Sequence, residues 1–171
     1  MIRLLIFGNS GSGKSTLARS YSKHFGIAHL DLDEIAWEAA GVRKGLEASI
    51  GELKEFVSTN VEWVIEGCYG SLISEATTWA REMIFLNPGI EDCQENCQSR
   101  PWEPHKYESK ETQDKNLEML LKWVSEYTSR SDEFSYSAHK AIYDTFNGKK
   151  AELRSNAEIR EKVSRVLEGR N

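Results

Sequence analysis

The stretch Gly8-Asn9-Ser10-Gly11-Ser12-Gly13-Lys14-Ser15 follows directly on an apolar run, Ile2-Arg3-Leu4-Leu5-Ile6-Phe7. A short, nearly continuous apolar run that ends at glycine is typical of a parallel strand buried on both faces. Beyond the glycines, Leu17, Tyr21 and Phe25 recur at helical spacing. The sequence therefore predicts a strand, a glycine-rich loop and a helix in immediate succession.

The glycine-rich loop has the composition of a phosphate-binding P-loop. Gly8 and Gly13 let the backbone turn and approach an anion closely, so that successive N–H groups can point at phosphate oxygens. The helix that follows adds the positive end of its dipole. In this motif Lys14 would reach the β- and γ-phosphates, and the Ser15 hydroxyl would hold Mg²⁺. We therefore expect ATP and Mg²⁺ as ligands, with the nucleotide bound by Gly8, Ser10, Gly11, Ser12, Gly13, Lys14, Ser15 and Thr16.

The rest of the chain alternates between short apolar runs and helical periodicity. Further strands are predicted at residues 28–30, 63–65 and 83–86, with a weak fifth at 151–153. Helices are predicted between them and at the end of the chain. The pattern indicates an α/β class: a three-layer α/β/α P-loop nucleoside triphosphate hydrolase fold with about five parallel strands and a helical lid insertion. The length of 171 residues suits a single domain, residues 1–171.

A segment without apolar period interrupts this alternation. Residues 99–112 contain Pro101, Pro104 and six charged side chains, which predicts an irregular loop. Helical spacing returns at Leu117, Leu120, Leu121 and Val124. We expect the lid to lie within residues 99–130, because irregular surface loops are common sites of closure over ligands.

Composition limits the compartment and the partners. The opening apolar run is too short for a signal peptide or a membrane span, which favours a cytoplasmic protein without a membrane partner. An odd number of cysteines, three, does not make a disulfide framework. The net charge of −5, with basic residues dispersed among acidic ones, argues against a nucleic-acid surface. The oligomeric state stays open.

Three further tracts accompany the P-loop: His29-Leu30-Asp31-Leu32-Asp33, Trp63-Val64-Ile65-Glu66-Gly67-Cys68-Tyr69 and Ile84-Phe85-Leu86. Together they resemble the adenylate-kinase-related group of P-loop kinases, which includes the shikimate kinases and the DNA topology modulation proteins. The resemblance covers nearly the whole chain. It implies a small phosphotransferase, and neither the Asp-x-x-Gly nor the Asn-Lys-x-Asp motif of GTPases occurs in the sequence.

The resemblance also implies roles for acidic residues. Members of this group place an acidic pair after the second strand, where one carboxylate helps to hold Mg²⁺ and the other meets the acceptor hydroxyl. Asp31 and Asp33 match that spacing, and a carboxylate beside the acceptor can orient it or take its proton. Glu66 ends the third strand, where relatives usually carry an aspartate that orients water on Mg²⁺. The implied metal residues are thus Ser15, Asp31 and Glu66.

Lid cations in this group neutralise charge on the transferred phosphoryl group. The resemblance assigns that role to Arg100, with Lys106 and Arg130 as further candidates, and it places Arg130 near the nucleotide. Lys14, Asp33 and Arg100 are therefore the expected catalytic residues.

The acceptor is not defined by these motifs. Shikimate kinases carry three consecutive glycines after the third strand, where this chain has Gly67-Cys68-Tyr69-Gly70. Adenylate kinases carry Asp-Gly-Phe-Pro-Arg at that place, which is absent here. Residues 102–107, with Pro104 and His105, and Trp37 can either recognise an acceptor or pack structurally.

Alternatives remain at the level of function and of metal. A nucleotide-responsive nucleic-acid-binding protein with weak or no kinase activity is the rival to a kinase for a small metabolite or nucleotide, and slow ATP hydrolysis without an acceptor is a third hypothesis. Cys93 and Cys97 fall on one helical face and His105 follows them. Together they lack a fourth zinc ligand at the usual spacing, and buried thiols that pack as small apolar groups are the alternative.

Overall fold

A parallel sheet of five strands forms the centre of the computed structural model, which describes residues 1–38, 41–102 and 108–169. The spatial order is β2-β3-β1-β4-β5, and each neighbouring pair is parallel. The strands are β1 (Arg3–Gly8), β2 (Ala28–Asp31), β3 (Trp63–Gly67), β4 (Glu82–Leu86) and β5 (Lys149–Leu153).

Helices connect the strands and cover the sheet. In the described part of the chain they are α1 (Lys14–Phe25), α2 (Leu32–Ala36), α3 (Leu46–Thr59), α4 (Gly70–Ala76), α5 (Ile90–Gln98), α6 (Lys110–Ser125), α7 (Tyr136–Thr145) and α8 (Asn156–Leu167). None of these helices is long and apolar enough to span a bilayer.

The two faces of the sheet bury separate apolar clusters, because successive side chains of a strand point to opposite faces. From β1, Leu4 and Ile6 join residues of α1 and α8. Leu5 and Phe7 join residues of α2, α3, α4 and α7 on the other face. Phe7 also stacks on Phe85 of β4 at a centroid distance of 5.1 Å. The result is the predicted helix–sheet–helix sandwich, and the fold prediction is confirmed.

The predicted strands all exist, but short helices were missed and one boundary was wrong. Helix α2 has five residues and its cap is Asp31, whose side chain accepts a hydrogen bond from the Asp33 N–H; so short an element carries no periodicity. The loop predicted over residues 99–112 is wrong at its end, because α6 begins at Lys110. Ser109 caps that helix by accepting from the Thr112 N–H, and residues 103–107 lie outside the described part.

The carboxyl ends of the strands place the polar tracts together. Strand β1 ends at Gly8, where the P-loop begins, while β2 ends at Asp31 and β3 at Gly67. These strands are neighbours in the order β2-β3-β1. In open parallel sheets, ligands bind beyond this edge, so the fold brings the acidic tracts to the phosphate loop.

Candidate active site

At two glycines the P-loop lies too close to neighbouring backbone to accommodate a side chain. At Gly11, φ is +80°, and a Cβ atom would lie 2.2 Å from the Cys93 carbonyl oxygen and 2.7 Å from Cys97 Sγ. At Gly8, a Cβ atom would lie 2.1 Å from the Leu86 carbonyl oxygen. Glycine is therefore required at both positions. Helix α1 begins at Lys14, so its first N–H groups, which have no partner within the helix, lie at the end of the loop.

Amide side chains hold the loop in place. Asn9 Nδ2 donates to the Val124 carbonyl oxygen of α6 at 3.1 Å, and the Ser10 N–H donates to Asn9 Oδ1 at 2.8 Å. Asn96 Nδ2 of α5 donates to the Gly11 carbonyl oxygen at 2.8 Å. Lys14 Nζ donates to the Asn9 carbonyl oxygen at 2.8 Å. The bond from Asn9 fixes the loop to α6, and the bond from Asn96 fixes it to α5.

Two carboxylates face the loop from adjacent strands. Asp31 and Glu66 are direct partners in the β2–β3 register. Glu66 is buried, and its Oε1 lies 3.9 Å from His29 Nε2. Burial and the charge of Asp31 raise the pKa of Glu66 to about 7, against the opposing influence of Lys14 and Ser15. Burial lowers the pKa of His29. A cation near this pair would relieve the repulsion between the two acids.

The acids open into a cavity of about 470 Å³, which we call the acidic cavity. Its walls combine the three predicted acids with P-loop residues and with aromatic side chains from distant parts of the chain. The described lining residues are Ser10, Lys14, Ser15, Asp31, Asp33, Trp37, Arg43, Glu66, Gly67, Cys68, Tyr69, Arg100, Trp123, Glu133 and Phe134.

One wall of the acidic cavity is built from aromatic rings around a cation. The Arg43 guanidinium lies 4.3 Å from the centroid of the Tyr69 ring and 5.7 Å from that of Trp37. Its Nη2 lies 3.5 Å from Glu133 Oε1. Phe134 meets Tyr69 edge-on at 5.4 Å. This wall is apolar on its faces and charged at its rim.

A second cavity of about 770 Å³ lies on the other side of the loop, between α1 and α8, and we call it the α8 cavity. It is open and bordered by arginines and amides. The described lining residues are Gly11, Gly13, Lys14, Ser15, Thr16, Arg19, Asn96, Ser99, Arg100, Pro101, Trp102, Asn156, Ile159, Arg160, Val163 and Ser164.

The two cavities adjoin where the cations Lys14 and Arg100 lie. Lys14, Ser15 and Arg100 are the described residues that line both. A ligand in the α8 cavity and a ligand in the acidic cavity would therefore approach each other at Lys14 and Arg100. This geometry suits a negatively charged group that lies at the boundary between the two cavities.

The structure places most of the predicted site residues around this junction. Thr16 and Gly13 line the α8 cavity, and Asp31, Asp33, Glu66 and Trp37 line the acidic cavity. Arg130 is not among the described residues that line either cavity. Its guanidinium lies 3.4 Å from the centroid of Trp123, with the Trp123 carbonyl oxygen and Glu126 as partners. Nucleotide binding by Arg130 stays a prediction. Lys106, Pro104 and His105 lie outside the described residues.

Sequence reasoning missed the residues that complete the cavity walls. In the acidic cavity these are Arg43, Trp123, Glu133 and Phe134, and in the α8 cavity they are Arg19, Asn96 and Arg160. They come from four different helices and from loops, and no local motif groups them. Tyr69 lay within a tract named for its resemblance, but its hydrogen-bond partners could not be read from that tract.

The donor set at the junction suits Mg²⁺. Glu66 Oε1 is buried and has no hydrogen-bond partner within the described residues, so it can accept from a metal-bound water. No group of three or more His, Cys, Asp or Glu side chains in the described part is arranged to hold a metal by itself. Mg²⁺ commonly keeps several waters and is shared between one or two protein oxygens and substrate phosphates. Ser15, Asp31 and Glu66 fit that mode of binding.

The cysteines of α5 pack as apolar groups. Cys93 and Cys97 are buried against Val124, with Leu117, Leu120 and Leu121 of α6 around them. Burial raises the pKa of the Cys93 thiol to about 12, so the thiol stays protonated in this apolar environment. His105 lies outside the described residues. The observed packing accords with the apolar alternative for these thiols.

Comparisons with known proteins show the fold. No family model and no curated protein matches the chain. A gluconokinase from Sinorhizobium meliloti 1021 is similar in structure, with a TM-score of 0.56 and 15% identity over 98% of this chain and 90% of that one. A shikimate kinase from Bacteroides thetaiotaomicron gives a TM-score of 0.55 and 16% identity over 98% of this chain and 97% of that one. Another shikimate kinase, from Acinetobacter baumannii in complex with shikimate, gives 0.52 and 16% over 99% and 94%. The chain therefore has the fold of small-molecule P-loop kinases over nearly its whole length.

Proposed function

We propose that the protein is an ATP- and Mg²⁺-dependent phosphotransferase that acts on a small acceptor. The observation that carries the proposal is the junction of two cavities at Lys14, Ser15 and Arg100. The nucleotide would lie along the P-loop and the α8 cavity, and the acceptor would occupy the acidic cavity. The γ-phosphoryl group would then pass between them at the point where both cations lie.

In this reaction the acceptor oxygen forms a new bond to the γ-phosphorus. The bond from that phosphorus to the β,γ-bridging oxygen breaks, and ADP leaves with the electron pair. The acceptor proton passes to the Asp33 carboxylate and from there to solvent. Lys14 and Arg100 neutralise the charge that spreads over the phosphoryl oxygens, so catalysis is mainly positioning and electrostatic stabilisation.

Ser15, Asp31 and Glu66 would hold Mg²⁺, the two acids through water. The chemistry that Mg²⁺ would supply there is positive charge that neutralises phosphate oxygens. The contribution of this chain is to place a hydroxyl at the start of α1 and two acids on adjacent strands. Glu66 would be drawn into its ionised form by the positive charge.

A small-molecule acceptor is favoured by the size and the chemistry of the acidic cavity. Its volume of about 470 Å³ lies in the range of ordinary small-ligand pockets. Its aromatic wall and its acids suit a compact molecule with hydroxyl groups. The similarity in fold to proteins described as shikimate kinase and gluconokinase supports acceptors of that size.

The test is ADP release with Mg²⁺ and a panel of acceptors: shikimate, gluconate, other hydroxy metabolites and nucleoside monophosphates. Release that rises with one acceptor and is lost in Lys14→Ala and Asp33→Asn would support the proposal and name the substrate. Lys23→Ala, at the exposed end of α1, is the matched control. Equal release with and without every acceptor would instead support slow ATP hydrolysis, and ATP binding without any release would favour the nucleic-acid alternative.

A further inference from the structure

A chain of two hydrogen bonds joins three residues that line the acidic cavity: Trp37, Tyr69 and Asp33. Trp37 Nε1 lies 2.7 Å from the Tyr69 hydroxyl oxygen, and that oxygen lies 2.5 Å from Asp33 Oδ1. The three residues come from the end of α2, the N-terminal cap of α4 and the first turn of α2. Trp37 is half-exposed, whereas Tyr69 is buried. These hydrogen bonds thus connect an exposed side chain to Asp33, the carboxylate that we propose contacts the acceptor.

The direction of these bonds follows from the chemistry of the groups. An indole N–H can only donate, so the Tyr69 oxygen must accept from Trp37. The single proton of the Tyr69 hydroxyl is then available for Asp33 Oδ1, and an ionised carboxylate can only accept. Burial and the charge of Asp33 raise the pKa of Tyr69, which keeps the hydroxyl protonated and therefore a donor. The arrangement has one consistent assignment of protons.

The Tyr69 ring cannot move away from this position without breaking other contacts. Arg43 covers one face of the ring, and Phe134 meets it edge-on. Arg43 is itself held by the Ala36 carbonyl oxygen at 3.3 Å and by Glu133. Glu133 Oε2 also accepts from the Ser71 N–H at 2.9 Å, at the start of α4. The hydroxyl is therefore presented by a braced wall.

We propose that Tyr69 is a positioning residue: held by Trp37, it fixes the rotation of the Asp33 carboxylate against the acceptor. This inference rests on the proposed function, because Asp33 acts there on the acceptor hydroxyl. The bond from the Tyr69 hydroxyl constrains the orientation of the Asp33 side chain. Small errors in the placement of a reacting group can lower rates roughly 100-fold, so loss of this bond should lower turnover.

The hydrogen bonds from Trp37 through Tyr69 to Asp33 are tested first, without any acceptor. The measurement uses the indole ¹⁵N–¹H signals of the five tryptophans. Trp37→Phe identifies the Trp37 signal. We expect Asp33→Asn to shift this signal in the otherwise wild-type protein, and to leave it in place when Tyr69 is already replaced by Phe. A shift of equal size in both backgrounds would mean that Asp33 influences Trp37 by another route, and it would overturn the inference. No shift in the first background would do the same.

The positioning role is tested next by kinetics with the acceptor from the panel. Tyr69→Phe should lower kcat roughly 10-fold or more and leave KM for ATP unchanged. Tyr143→Phe, whose ring packs on Phe85 on the same face of the sheet, is the matched control. An unchanged kcat in Tyr69→Phe, with wild-type activity present, overturns this inference alone. Absence of activity in the wild type overturns the proposed function, and the positioning role with it.

Discussion

His139 Nε2 lies 2.8 Å from the carbonyl oxygen of Cys68, so an α7 side chain holds the backbone that forms the floor of the acidic cavity. A carbonyl oxygen only accepts, so Nε2 carries the proton and Nδ1 accepts from the Tyr127 hydroxyl at 2.7 Å. His139 is fully buried, and burial lowers its pKa to about 4. The neutral imidazole is therefore a structural link between α7, the residue after β3 and the segment after α6.

This link predicts a loss of stability in mild acid. The pKa of His139 is lower in the folded chain than its ordinary value of 6.5, so the unfolded chain binds more protons between pH 6.5 and 4. The free energy of unfolding should fall as the pH falls through that window, by up to about 1.4 kcal/mol per pH unit. Urea unfolding of the wild type and of His139→Gln between pH 7.5 and 4.5 measures this. His139→Gln should lack that part of the slope, while the exposed His24→Gln should keep it.

The raised pKa of Glu66 predicts the opposite dependence of stability on pH in the nucleotide-free protein. This pKa is raised from 4.5 to about 7, so the folded chain binds more protons than the unfolded chain between those values. The free energy of unfolding should fall as the pH rises through this window. At pH 8 Glu66→Gln should then be more stable than the wild type by roughly 1–3 kcal/mol. Thermal unfolding without Mg²⁺ is the measurement, and Glu55→Gln on the exposed face of α3 should leave stability unchanged.

The Glu66→Gln variant also separates the effect of Glu66 on stability from its effect on function. If Glu66 supports Mg²⁺, the variant that is more stable should need a higher Mg²⁺ concentration for half-maximal ADP release. A Glu66→Gln protein with both unchanged stability at pH 8 and unchanged Mg²⁺ dependence would contradict the burial argument and the metal role together. A trade between the function of a site and the stability of the protein is common in enzymes.

Gly11 predicts a steric effect that a second glycine can isolate. Gly11 and Gly26 both have positive φ, but a Cβ atom at Gly26 would meet nothing within 4 Å. Gly26→Ala should lower the free energy of unfolding by about 1–2 kcal/mol, which is the penalty of the left-handed backbone. Gly11→Ala adds a clash with α5 and should lower it by roughly 1–3 kcal/mol more. Chemical denaturation of the two variants gives the comparison, and equal losses would show that the loop can move away from α5.

Replacement of Arg100 should lower turnover without lowering the affinity for the nucleotide. Arg100 lines both cavities, so under the proposed function it would contact the transferred group rather than one ligand alone. Arg100→Ala should lower kcat by roughly 100-fold or more and change ATP affinity little. Steady-state kinetics and calorimetric ATP binding test this, with Arg81→Ala, at an exposed position just before β4, as the control. A variant that loses ATP affinity but keeps kcat would place Arg100 on the nucleotide only.

The fold was accessible from the sequence wherever neighbouring residues carry the signal. Strand β1 and the P-loop are contiguous, and the alternation of Leu4 and Ile6 with Leu5 and Phe7 agrees with burial on both faces. Strand β5 gave a weak signal for a physical reason: it is an edge strand whose first residues, Lys149 and Lys150, are exposed. Charged residues at a sheet edge protect it from further pairing, and they also remove the apolar pattern.

The candidate site was accessible only in part. The proximity of Asp31 and Glu66 follows from strand ends that share one edge of a parallel sheet, so a sequence argument could reach it. The bonds of Tyr69 to Trp37 and Asp33 join residues 32 and 36 positions apart in the chain. Glu133 and Phe134 arrive from the segment before α7. Contacts of this kind depend on how helices pack, and no local pattern in the sequence encodes them.

Because Lys14, Ser15 and Arg100 border both cavities, a ligand in one cavity would be thermodynamically linked to a ligand in the other. Any negative charge brought into one cavity changes the field felt by a charge in the other. Linkage is reciprocal, so the factor by which the first ligand alters the affinity of the second equals the factor in the reverse order. Each ligand would therefore have one affinity when the other cavity is empty and another when it is filled. The concentration of the second ligand would decide which of these affinities applies.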